Sequence, residues 1–289
     1  MAHDQRAGIA PPGGPGTGRV TGTPRLFAGL LDDAAVFPPG NVPMPDAVRA
    51  YRERRALPLL GAFICALPRW GELREQLTAG PPLRVALTVP GGAADLPAAI
   101  ALARAEPRVE LAALEVPATA AGLAVLANTA DRPVPVYVEL PWADVDATTV
   151  AALVDAGLRL KIRTGGLAAA AFPAEQQLAE VLRTAVRGGV AFKLTAGLHD
   201  PIRHRDPATG FEHHGYLNVL LATARALAGG DVLAALADQD GARVAGAVAA
   251  IGDAPAERIR RHFISFGTCS VTEPVDGLLR HGLLPEDPR

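Results

Sequence analysis

Residues 158–165 read LRLKIRTG and residues 190–197 read VAFKLTAG; between them, 173–187 reads PAEQQLAEVLRTAVR. Each flanking run alternates side chains with the period of a strand, and the segment between is, with 216–228, one of the two clearest helix candidates in the chain. Strand, helix and strand in so short a stretch predict a parallel βαβ unit. The same alternation extends outward. Further strand-like runs lie at 26–31, 60–67, 83–89, 109–116, 134–140 and 263–267, most of them β-branched or aromatic and closed by Gly, Pro or a polar residue. The first is the weakest and is also compatible with helix. Helix candidates separate the runs at 45–54, 71–77, 93–105, 118–128, 145–156 and 216–228, with more helix over 231–251.

Eight strands alternating with helices predict an α/β fold, a (β/α)8 TIM barrel forming a single domain over 25–289. The rival is an open doubly wound sheet, which carries a phosphate loop after its first strand; neither GxGxxG nor GxxxxGK[ST] occurs. Residues 1–24 are rich in Gly and Pro and lack an apolar period, which predicts a disordered tail rather than a signal peptide. The longest connection, 197–214, reads GLHDPIRHRDPATGFEHH and holds four of the 7 histidines. It predicts a lid that brings His199 or His204 over the barrel mouth.

Composition narrows the function. The 289 residues carry a formal net charge of −2, so no basic face invites nucleic acid. No apolar run is long enough to cross a membrane. Two cysteines make neither a disulfide framework nor a metal knuckle, and the expected compartment is the cytoplasm. Apolar, Ala-rich helices are compatible with a homodimer. Lysine and serine are almost absent: of the 28 basic residues only Lys161 and Lys193 are lysines, and Ser265 and Ser270 are the serines. Residues this rare are informative where they fall.

Both lysines fall near the ends of successive strands, where barrels keep their chemistry. Leu160, Ile162, Phe192 and Leu194 must face the helices, so Lys161, Arg163, Lys193 and Thr195 face the barrel axis. Adjacent strands would bring the two ammonium groups close. A partly desolvated lysine beside another cation has a lowered pKa and becomes the amine nucleophile that Schiff-base chemistry needs. The plainer alternative is that the lysines pair with Glu115 or Glu139 and only fill charge. Asp32 and Asp33 close the first strand; Asp33 is the acid–base candidate, and a turn cap is the competing role for one of the pair. Gly267, Thr268, Cys269 and Ser270, with Gly197, predict an anion site built from backbone N–H groups and aided by Arg163 or Lys193, or else an ordinary turn capped by Ser270 or Thr272. Cys269 could act as a nucleophile, with no partner assignable from sequence, and Cys65 belongs to the core.

KIRTG (161–165), FKLTAG (192–197) and FGTCS (266–270) resemble the last three strands of the deoxyribose-phosphate aldolase-type class I aldolases, and VYVEL (136–140) resembles the acidic strand before them. The resemblance covers the C-terminal half of the barrel. It implies a lyase with a Schiff-base lysine at Lys161, a second lysine at Lys193, an acidic residue at Glu139 and a phosphate loop at 267–270. Glu115 is the nearest counterpart of the family's acidic relay on the fourth strand, and the histidine-bearing connection is foreign to the family. The expected substrate is a small, anionic oxo or phosphorylated metabolite, and no cofactor is implied. Two alternatives stand beside this reading. One is a metal-assisted barrel hydrolase or isomerase using His199, His204, His213 and His214, although the strand-1 HxH of such enzymes is missing and no metal site is expected. The other is a barrel that binds a small anion without catalysis.

Overall fold

A computed structural model of the chain describes residues 24–129 and 132–286; the tail expected over 1–24 lies, but for its last residue, outside them. Eight parallel strands close into a barrel: β1 (Leu31–Asp33), β2 (Leu60–Ala66), β3 (Leu83–Thr88), β4 (Val109–Pro117), β5 (Val136–Glu139), β6 (Arg159–Arg163), β7 (Phe192–Thr195) and β10 (Phe263–Thr268). β10, the eighth barrel strand, pairs with both β1 and β7 and so completes the ring. The chain is thus a (β/α)8 barrel. Helices Met44–Glu53, Trp70–Glu75, Leu96–Arg104, Leu123–Ala127, Ala147–Asp155, Glu175–Gly188, Tyr216–Leu227 and Thr272–Arg280 follow the eight strands in turn. Three more, Val232–Ala237, Gly241–Ala249 and Asp253–His262, extend the connection from β7 to β10.

The run at 26–31 divides differently from expectation. Arg25–Phe27 is one 3-10 turn, and the strand begins at Leu31, so both aspartates lie within it. The connection after β7 is also more ordered than a bare lid. His204–Arg205 (β8) pairs antiparallel with Glu212–His213 (β9). Arg203, 5% exposed, reaches Glu175 at 2.8 Å and Glu212 at 3.1 Å, and its backbone N–H donates to Asn218 Oδ1. The buried His214 ring meets the Pro173 carbonyl through Nε2 at 2.8 Å. This excursion is clamped onto the start of Glu175–Gly188 by Arg203 on Glu175 and by His214 on the Pro173 carbonyl.

Period-two alternation divides the strand residues between two environments. Leu160, Ile162, Phe192 and Leu194 are fully buried in the core between barrel and helices. Inside the ring, Ala62, Ile64, Ala86, Ala113 and Tyr137 form a separate small cluster. The alanines come from β2, β3 and β4, the long side chains mostly from β5, β6 and β7. Small residues on one half of the wall leave the volume that lysine side chains from the other half fill, as a packed barrel interior requires.

Candidate active site

The strand register sets the site. Lys161 is level with Lys193 across β6 and β7, Glu139 with Lys161 across β5 and β6, and Ser265 with Lys193 across β7 and β10. Facing inward from neighbouring strands, these side chains meet near the axis. Lys161 Nζ lies 2.8 Å from Glu115 Oε2 and 2.9 Å from Glu139 Oε2. Lys193 Nζ donates to Asp32 Oδ2 at 2.7 Å and to Glu115 Oε1. Arg163 Nε donates to Glu139 Oε1 at 2.9 Å. Lys161, Lys193 and Arg163 therefore face Asp32, Glu115 and Glu139 one for one. Glu115 is the hinge of the arrangement, with one carboxylate oxygen on each lysine.

The support behind these groups is equally specific. Asp32 also accepts from Ser265 Oγ at 2.6 Å and from the Ala62 N–H at 2.7 Å. A Cβ on Gly61 would stand 2.3 Å from Asp32 Oδ1, so the close approach of β2 to this carboxylate requires glycine there. Lys193 Nζ sits 5.5 Å from the centre of the Tyr137 ring, whose hydroxyl accepts from Arg159 at 2.9 Å.

Burial and charge act together on this cluster. Burial by itself would lower the pKa of Lys193, but Asp32 and Glu115 outweigh it and hold the ammonium charged well above the ordinary lysine range. For Lys193 this corrects the expectation of a lowered value: Asp32 and Glu115 outweigh the neighbouring cation. Burial would raise Glu115, yet Lys161 and Lys193 bring it down to about 2. Glu139 is also lowered, its burial outweighed by Lys161 and Arg163. Lys193 is 1% exposed, and Lys161, 6% exposed, adjoins the half-buried Glu139 and the exposed Arg163.

Of the residues singled out from sequence, Lys161, Lys193, Glu139 and Arg163 converge in this cluster. Asp33 does not: its Oδ1 accepts the Ala35 N–H at 2.9 Å, and burial raises its pKa. Its neighbour Asp32 is the carboxylate that reaches the lysine. Gly197 packs on Gly165, where a Cβ would lie 2.9 Å from the Gly165 Cα and 2.7 Å from the Thr164 carbonyl. Gly267 borders Thr195 and Ile64 inside the barrel. Thr268 Oγ1 donates to the Ser270 carbonyl at 2.9 Å, and Ser270 Oγ accepts the Glu273 N–H at 3.3 Å, both hydroxyls serving the turn before Thr272–Arg280. His204 pairs with Asp200 at 3.3 Å and lies against the His213 ring. His199 and Cys269 meet each other at the carboxyl-terminal rim, Nε2 to Sγ at 3.7 Å. Among the described residues no group of three or more His, Cys, Asp or Glu side chains is arranged to hold a metal ion.

Asp32, Glu115, Ser265 and Tyr137 are members of the cluster that sequence reasoning left out or held only as an alternative. For Glu115 a signal exists. Leu114 and Val116 are fully buried on the helix-facing side of β4, which turns the glutamate between them toward the axis.

No family model and no curated protein matches the chain. A solved structure of nitroalkane oxidase from Streptomyces ansochromogenes is similar over 84% of this chain and 66% of that one, at 18% identity and a TM-score of 0.28. A likeness of that size bears on neither fold nor function.

Proposed function

We propose that this barrel is a lyase of the class I aldolase type, acting on a small oxo or phosphorylated metabolite through a Schiff base on Lys161. The observation that carries the reading is the shared carboxylate: Glu115 touches both lysines, and only Lys161 also touches the mouthward Glu139. Lys193, enclosed and held charged, is the electrostatic partner; Lys161 is the amine.

The steps follow from that division. Lys161 gives a proton to Glu139, at the open side of the cluster, and its nitrogen adds to the substrate carbonyl carbon. The carbinolamine hydroxyl takes a proton back from the carboxylic acid and leaves as water, forming the iminium. A carboxylate then removes the proton of a hydroxyl on the β-carbon, two carbons from the iminium carbon, so that the bond between the α- and β-carbons can break. The carbon–carbon bond breaks, and its electron pair flows into the iminium to give an enamine and a free aldehyde or ketone. Protonation of the enamine and hydrolysis return Lys161. The fixed charge of Lys193 stabilises oxyanionic groups in a water-poor interior. Arg163, half-exposed beside Glu139, is the group available to an anionic substituent.

The test is reductive trapping. The chain has few amines, Lys161, Lys193 and its amino terminus. Incubation with hydroxyacetone or glycolaldehyde and borohydride is expected to add one substrate-derived mass to the intact folded protein. An unchanged mass with both compounds contradicts the proposal.

A further inference from the structure

Sequence alone supplies Cys269 with no partner, but the fold supplies two. Cys269 follows β10, His199 follows β7, and Glu273 opens the helix Thr272–Arg280. His199 Nε2 stands 3.7 Å from Cys269 Sγ, and His199 Nδ1 stands 2.8 Å from Glu273 Oε2. Thiol, imidazole and carboxylate are thus in line, with each ring nitrogen of the histidine engaged. Nucleophile, base, and a third group that orients the base make the arrangement by which proteins activate a weak nucleophile.

The surroundings hold this line in place. Ala196, a residue with a side chain, takes φ 62°, and Gly197 follows at φ 76°. This left-handed turn sits directly after β7 and is tied down by Thr164 Oγ1, which donates to the Ala196 carbonyl at 2.6 Å. It buries Leu198 and leaves His199 half-buried at the rim. Backbone strain of this kind persists where surrounding contacts fix it. From the other side a Cβ on Gly40 would stand 3.0 Å from Cys269 Cβ, so the loop after β1 presses on the cysteine. Cys65 is the opposite case. It is fully buried, its Sγ meets only the Ala66 carbonyl, and burial pushes its thiol up to about 12.

We propose that Cys269, His199 and Glu273 form a second nucleophilic site, at the barrel rim, that takes small aldehydes as hemithioacetals. His199 takes the thiol proton first, and the sulfur then adds to the carbonyl carbon. The S–C bond forms, the C=O pair moves to oxygen, and that oxygen takes the proton back from His199. Nothing leaves and no co-reactant is consumed. Thr268 Oγ1 donates to the Ser270 carbonyl and Ser270 Oγ accepts the Glu273 N–H, so both side chains brace the turn that carries Cys269. Burial alone would lower the pKa of His199, but Cys269 and Glu273 outweigh it and carry it up to about 9, consistent with an imidazole that holds the transferred proton. The inference does not depend on Lys161 as a nucleophile.

The chain's two cysteines allow a clean test. Iodoacetamide at neutral pH, followed by peptide mass mapping, is expected to alkylate Cys269 and leave Cys65 untouched in the folded protein. His199→Gln should slow Cys269 alkylation about tenfold or more. Glu273→Gln, at an exposed position where folding is secure, should slow it by a smaller factor. Equal rates in the wild type and the folded variants overturn the activation. For the ligand, glycolaldehyde labelled with 13C at its carbonyl should give a hemithioacetal resonance that disappears in Cys269→Ser. No such resonance in the wild type, or its persistence in Cys269→Ser, overturns the aldehyde assignment. Borohydride trapping on Lys161 can fail or succeed without altering either readout.

Discussion

Glu115 is the residue on which most depends. Removing its charge leaves two buried ammonium groups each short of a partner. Glu115→Gln is therefore expected to cost about 3–5 kcal/mol of stability, read by chemical denaturation. A loss under about 1 kcal/mol would mean that the lysines find other partners. The pH dependence has a definite sign. The carboxyl is held at about 2 in the folded chain, against an ordinary 4.5, so its stabilisation is complete above pH 4.5 and drains away as pH falls from there toward 2. Denaturation midpoints of the wild type should fall across that window, and those of Glu115→Gln should fall less. Gly61 offers a second test at this scale. A methyl group there would meet Asp32 Oδ1 at 2.3 Å. Gly61→Ala should cost about 1–3 kcal/mol and displace the carboxylate that holds Lys193. A variant as stable as the wild type would show that Asp32 can be moved freely.

At the scale of elements, the excursion between β7 and Tyr216–Leu227 behaves as a clamped unit. His214 is buried with Nε2 on the Pro173 carbonyl; burial, chiefly, lowers its pKa to about 4. A depressed histidine stabilises the folded state fully above its ordinary 6.5 and loses that contribution as pH falls toward 4. Amide exchange over 198–214, corrected for its intrinsic pH dependence, should therefore rise selectively between pH 6.5 and 4. Exchange that stays flat across the window would place the clamp elsewhere, on Arg203. Seven of the eight barrel strands were legible from sequence because their side chains alternate between the helices and the barrel interior; the first, Leu31–Asp33, lies beyond all but the last residue of the run read for it. Two helices were not. Asp253–His262 is crowded with charge and buries only Ala256 and Ile259, so its apolar stripe is too thin to read. Thr272–Arg280 contains Pro274 and Gly277, residues that ordinarily mark loops. The choice between Asp32 and Asp33 was likewise beyond sequence, since a strand of three residues has too few neighbours to set which side chain points inward.

For the molecule as a whole, the barrel converts a sequence rarity into a site. The two lysines of an otherwise arginine-based chain lie level on adjacent strands, and carboxylates from β1, β4 and β5 neutralise them. The lysines were legible because rarity and position coincided. Their carboxylate partners were not, because those come from strands far away in sequence. The most direct measurement maps the borohydride-trapped adduct by peptide sequencing in the wild type and in Lys161→Arg, which keeps the charge but cannot act as an amine. The account predicts the adduct on Lys161 and its loss in Lys161→Arg, with Lys193 unmodified in both. An adduct on Lys193, or one that survives Lys161→Arg, would contradict it.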